Sequence, residues 1–311
     1  MTARKLGIVV AVACSISGTA EATTNLKPFD PVALHSVVEA TAKELLLPGA
    51  MVLLHTPEGD FAFGYGATEL GGTNSPRADT HFRAAANTKE YDYCNTNYAL
   101  LGLIAEKLEG APLAKIFQDR LFGPLGMKHT LSPANTSNTI PEPYSHGYLY
   151  GSSSYALVDA PYPADLQAAA KAGTLKPNDD TGQNPSYAFA AGGVISTADD
   201  LAIWMRALAG GKLFDANHQR QWLDSLEPQD PSKPLGQKYG YGISQITFGP
   251  NSVYFHGGEM PGYNSFMGYD PVNDVTLVIW TNLTLSLDGK PTANSIMLRM
   301  LDQIYSVSPL Q

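Results

Sequence analysis

Phe82-Arg83-Ala84-Ala85-Ala86-Asn87-Thr88-Lys89 is the stretch on which the reading of this chain turns. One change, Ala86→Ser, would make its second half Ser-Asn-Thr-Lys, the S-x-x-K spacing of nucleophilic acyl transfer. Residues three apart share a helix face, so an amine at the fourth position reaches a hydroxyl at the first and helps to deprotonate it. Lys89 supplies the amine, and Ala86 supplies no hydroxyl. Taken alone, such a pair is ordinary helix surface. Three blocks further along the chain give it weight.

Tyr93-Cys94-Asn95 comes next, leading into Thr96-Asn97-Tyr98 and a leucine-rich run to Gly110. Ala190-Ala191-Gly192-Gly193-Val194-Ile195-Ser196-Thr197 stands midway, and Tyr254-Phe255-His256-Gly257-Gly258-Glu259 near the end. In this order the blocks resemble the serine β-lactamase-related family, whose pattern is S-x-x-K, then Y-x-N, then H-x-G or K-x-G. That family includes class C β-lactamases, D-Ala-D-Ala carboxypeptidases and some esterases. The resemblance runs from about Pro48 to Ile304.

Two departures stand out. Ala86 occupies the nucleophile position. The family also places several helices between the Lys and the Tyr, whereas only Glu90, Tyr91 and Asp92 intervene here. Most of an α-helical subdomain is therefore expected to be missing. An engineered chain and a natural paralogue without catalysis both fit these departures.

Bulk properties exclude other classes. The chain has 311 residues, 44% hydrophobic and 16% charged, as expected for a globular protein. A net charge of -9 lacks the basic footprint of nucleic-acid binding. No apolar run is long enough to span a membrane. Arg4 and Lys5, the apolar run Leu6–Ala13 and Ala20-Glu21-Ala22 have the layout of a cleavable secretory signal over residues 1–22. Residues 23–311 are then expected to form one domain, exported to the periplasm or outside the cell. Lipidation at Cys14 is the lesser alternative. Cys94 would be the sole remaining cysteine, so no internal disulfide is expected.

The pattern predicts a helix capped by Asp30 and running to Leu46, then strands Ala50–His55 and Phe61–Ala67. Helices are expected over Thr96–Leu108, Leu113–Leu121, from the Thr197 cap to Leu208, and over Thr292–Ile304. Four strands follow the Thr197 helix: Gly242–Phe248, Val253–His256, Asn264–Tyr269 and Val275–Leu283, with Gly257-Gly258 and Asp270–Asp274 as turns. Residues 132–185 are rich in Pro, Gly, Ser and Asn, with one helical patch at Ala164–Ala172, and predict a lid or a poorly ordered loop. The fold class is therefore α/β (α+β), an antiparallel sheet flanked by helices. The resemblance adds a β-lactamase/transpeptidase-like arrangement with a reduced helical subdomain.

The resemblance also assigns roles. Lys89 would shuttle the nucleophile's proton, Tyr93 would exchange protons with nucleophile and leaving group, and Asn95 would donate its amide to a substrate carbonyl. His256 takes the basic position of H-x-G, with Gly257 and Gly258 permitting close backbone approach. The backbone N–H groups of Glu259 and Ala86 would form the oxyanion hole, which is main chain and survives the alanine. Cys94 reads as a small buried cysteine, with a surrogate nucleophilic thiol as its sharper alternative. His55, His81, His129, His146, His218 and His256 show no metal-ligand spacing, and no cofactor is expected. The function implied is penicillin-recognising acyl transfer on a small molecule or peptide (a peptidoglycan stem, a β-lactam or an ester), without turnover as written. A non-catalytic binder of stem peptides or acyl-D-amino acids and an esterase stay open.

Overall fold

The computed structural model describes residues 26–84, 95–133, 137–151 and 160–310. The expected signal segment and Cys14, Ala86, Lys89, Tyr93 and Cys94 lie outside them.

Twelve strands are described: β1 (Gly49–Thr56), β2 (Gly59–Gly66), β3 (Phe82–Arg83), β4 (Tyr148–Leu149), β5 (Asn178–Asp179), β6 (Ile195–Ser196), β7 (Glu227–Pro228), β8 (Lys238–Tyr239), β9 (Ser244–Phe248), β10 (Asn251–Met260), β11 (Tyr263–Asp270) and β12 (Val275–Thr281). The helices are α1 (Pro31–Glu44), α2 (Asn95–Glu109), α3 (Leu113–Phe117), α4 (Gly123–Leu125), α5 (Ala164–Lys171), α6 (Ala198–Ala209), α7 (Ala216–Asp224) and α8 (Thr292–Ile304). The main sheet is antiparallel, in the order β2-β1-β12-β11-β10-β9-β8-β7.

Its central strands are apolar on both faces because helices cover both. Ala50, Val52 and Leu54 of β1 join Leu277 and Ile279 of β12 in a core closed by Leu34 and Val38 of α1 and Ile296 and Met300 of α8. The alternate residues Met51, Leu53, Val278 and Trp280 pack on the opposite side against Ala198, Leu201 and Ala202 of α6. Each fully buried Leu or Ile contributes roughly 1.5–3 kcal/mol, so this two-faced burial holds the sheet. Asp30 caps α1 by accepting from the N–H groups of Val32 and Ala33 at 2.9 and 3.2 Å.

At the start of α6 the Thr197 side chain caps the Asp200 N–H at 3.3 Å. The buried Asp200 carboxylate accepts from His129 N–H and Thr130 Oγ1, both at 2.7 Å, tying α6 to the segment that precedes it. Hydrogen bonds to a charged group each contribute about 1.5–3 kcal/mol. Asp200→Ala removes both bonds, although Thr130 Oγ1 keeps Ser196 Oγ at 2.7 Å, and is expected to cost roughly 1–3 kcal/mol, read as a shift in the urea midpoint at unchanged slope.

The structure corrects several sequence expectations. Gly257 and Gly258 are not a turn: they lie inside β10, paired with Phe266 and Ser265 of β11, and the reversal falls at Pro261–Gly262. Gly262 has a φ of +92°, and its N–H donates to Thr284 Oγ1 at 2.6 Å. The expected helix Leu113–Leu121 stops at Phe117 and continues as a π-helical turn over Gln118–Phe122. The short strands β7 and β8 extend the sheet beyond the six expected strands. The described parts of 132–185 are not a loose lid. Tyr148 N–H lies 3.1 Å from the Gly262 carbonyl and 3.0 Å from that of Asn282, His146 donates to Thr68, and β4 pairs with β5.

Candidate functional site

The chain enters the site on β3. Phe82 stacks on Trp280 with ring centroids 5.1 Å apart, and Phe82 and Arg83 pair with Ser196 and Ile195 of β6. Ala84 then donates to the Val194 carbonyl at 3.0 Å, while its own carbonyl accepts from Ser265 Oγ at 2.6 Å. Ser265 is the register partner of Gly258. The residue two before Ala86 in sequence is thus pinned beside the glycines of β10.

That stretch of β10 carries an open edge. β9 pairs with β10 only from Asn251 to Phe255. From His256 to Met260, β11 is the sole strand partner among the described residues. No second described strand pairs with β10 over this stretch. The opposite side is fixed: the fully buried Asn264 side chain donates to the Gly258 carbonyl at 3.2 Å and accepts from Ala293 N–H at 2.8 Å. Tyr187 reaches the end of the edge, its hydroxyl 3.5 Å from Met260 Sδ.

His256 is half-buried and held at both nitrogens. Nδ1 lies 2.6 Å from the Gly257 carbonyl, which can only accept, so Nδ1 carries the proton. Nε2 is 3.2 Å from Tyr239 Oη, which in turn is 3.1 Å from Tyr98 Oη of α2. In the neutral imidazole Nε2 therefore accepts from Tyr239, and one hydrogen-bonded chain links α2, β8 and β10. Burial draws the His256 pKa below its ordinary 6.5, and the Gly257 contact offsets this in part.

A lowered folded-state pKa means that the unfolded chain binds more protons just below pH 6.5. His256's contribution to stability is then intact above that pH and declines as pH falls through it. His256→Gln is expected to flatten the loss of stability between pH 7.5 and pH 5.5, measured by urea unfolding at the two pH values.

Of the residues picked from sequence, the structure places His256, Gly257, Gly258 and Glu259 on β10, and Asn95 exposed at the start of α2. Ala86, Lys89 and Tyr93 belong to the segment outside the described residues. Sequence reasoning missed Ser265, Tyr98, Tyr239 and Arg83. Arg83 is buried, and its Nη2 donates to the Asn138 and Thr181 carbonyls at 3.0 and 3.4 Å, stapling the long segment onto β3. Tyr98 sits five residues after Tyr93 and could have been weighed. Tyr239 lies on a two-residue strand with no local signal. Among the described residues no group of three or more His, Cys, Asp or Glu could hold a metal ion.

An antiparallel sheet with helices on both faces, and an H-x-G strand beside which Ala84 is pinned, are the scaffold expected for serine acyl transfer. Residues 83–299 match the Beta-lactamase family model, and the chain belongs to that family. Among curated proteins it is similar to "Putative D-alanyl-D-alanine carboxypeptidase" of Salmonella schwarzengrund, 24% identical over 217 residues, which are 65% of this chain and 47% of the relative. The chain spans about half the length of the curated relatives it matches. Among solved structures it resembles the D-amino acid amidase of Ochrobactrum anthropi in complex with D-phenylalanine, with a TM-score of 0.66 and 18% identity over 87% of this chain and 98% of that one. The D-stereospecific amidohydrolase from Streptomyces sp. gives a TM-score of 0.67 at 18% identity, covering 86% and 98%. The penicillin binding protein from Bacillus halodurans gives 0.64 at 15%, also covering 86% and 98%.

Proposed function

We propose that this chain is an exported, penicillin-recognising scaffold of the D-Ala-D-Ala carboxypeptidase type that recognises acyl-D-amino-acid substrates and does not turn them over. The observation that carries the reading is the pinning of Ala84 to Ser265, opposite Gly258. It holds the residue two before Ala86 beside Ser265 and the glycines of β10. In that arrangement an extended acyl-D-Ala-D-Ala peptide aligns along His256–Met260, and the Glu259 N–H with that of Ala86 receives the carbonyl oxygen. Lys89 and Tyr93 take the proton-transfer roles of the family pattern, and Ala86 leaves them no hydroxyl to activate.

The same feature favours a second reading, a non-catalytic binder of peptidoglycan stems. A site that keeps its recognition groups and lacks its nucleophile can hold a substrate without cleaving it. Calorimetry with an N-acylated D-Ala-D-Ala dipeptide tests recognition directly. Saturable binding that weakens for the L,L isomer is expected, and absence of binding for both isomers would remove the recognition claim.

A further inference from the structure

Next to His256 lies a cavity of about 270 Å³. Its wall is mainly apolar, formed by Phe122, Met127, Val194, Leu201, Trp204 and Met267 among others. Four lining residues carry side-chain polar groups: Tyr98, Thr130, Trp204 and His256. Tyr98, Thr130 and His256 are engaged within the protein. Thr130 Oγ1 lies 2.7 Å from both Ser196 Oγ and Asp200 Oδ2. Tyr98 meets Tyr239, and His256 is held by Tyr239 and the Gly257 carbonyl. No charged side chain lines the cavity, and apart from the Trp204 indole its wall offers a guest mainly apolar contact. An apolar cavity of about 150 Å³ already stays dry and takes up benzene in another protein, so this one has room for a ring and its first substituents.

Position gives the cavity a function. Ala84, pinned beside β10, and His256, at the start of the open edge, both line it. A group seated there would be attached to whatever lies along His256–Met260. We propose that the cavity is a binding site for an uncharged apolar group of phenyl or branched-alkyl size, carried by the ligand beside its acyl carbonyl. The identity of the carrier rests on the acyl-D-amino-acid reading above; the affinity of the cavity for an apolar group does not.

Two methionines in the wall provide the readout. In the full chain labelled at methionine methyls, toluene is expected to shift the Met127 and Met267 resonances saturably. Met297 and Met300, on the other side of the sheet, should stay unmoved. Val194→Phe and Leu121→Trp fill the cavity from two different elements, and either is expected to weaken the toluene response by about tenfold or more. N-acetyl-D-phenylalanine should displace toluene, and N-acetyl-D-alanine should not. Absence of a saturable shift, or a shift that survives in both folded filled variants, would overturn the site. A toluene response that N-acetyl-D-phenylalanine cannot displace would overturn its assignment to a ligand side group. Failure of the dipeptide to bind in calorimetry, with the toluene response intact, would count against the acyl-D-amino-acid reading alone.

Discussion

Ala86→Ser alone is expected to leave turnover of a chromogenic cephalosporin at least about 10²-fold below that of an intact family enzyme, since small displacements of catalytic groups carry penalties of that order. The reversion completes S-x-x-K in sequence and supplies the missing oxygen. It does not lengthen the connection in which Tyr93 follows Lys89 by only four residues. In the family pattern these two residues come from separate elements on opposite sides of the nucleophile. The exposed leucines of α2 fit a fold in which that helix has lost neighbours. Steady-state kinetics of the purified revertant decide the matter. Family-like rates would show the short connection to be harmless.

The second large effect concerns α2, whose polarity is inverted. It buries Gly102, where an added Cβ would meet Ala190 Cβ at 2.5 Å and the Phe189 ring at 2.8 Å. Its leucine-rich face points to solvent. Leu100, Leu101, Leu103, Ile104 and Leu108 are 55, 60, 55, 44 and 81% exposed. Together they expose on the order of 500 Å², at the upper end of the apolar patches that monomers tolerate. The described parts of 132–185 do not bury these side chains and pack in part on the end of the sheet. The protein is expected to bind hydrophobic dye and to associate as its concentration rises. A Leu101→Glu/Leu108→Glu variant should suppress both. Sedimentation velocity across a hundredfold concentration range is the check. A compact species, strictly monomeric throughout and silent to the dye, would contradict the exposed face.

The extent to which the fold was legible follows from how local each signal was. Asp30-Pro31, Thr197 with Asp199 and Asp200, and the apolar run of β1 carry their instructions in neighbouring residues, and those elements formed where expected. Gly257-Gly258 misled because glycine next to a polar residue reads as a turn. Tertiary pairing with Phe266 and Ser265 overrides that preference, and the reversal moves to Gly262. β7 and β8 are two residues each, too short to show a period, and they exist because β9 offers an edge. The site divides in the same way. His256 and the glycines were visible as a motif, whereas Ser265, Tyr239 and Arg83 act through contacts between residues far apart in sequence, to which local patterns are blind.

Intact-mass analysis after incubation with a penicillin decides whether this chain can form an acyl-enzyme. A β-lactam that meets a competent serine opens on it and leaves a covalent adduct, whereas Ala86 has no atom to attack with, and loss of such a nucleophile lowers turnover by about 10⁶. An unchanged mass is expected at saturating penicillin, alongside reversible binding of the acyl-D-Ala-D-Ala dipeptide. Stoichiometric mass gain would contradict it, and an adduct mapped to Cys94 would identify a thiol as the nucleophile in place of the missing serine.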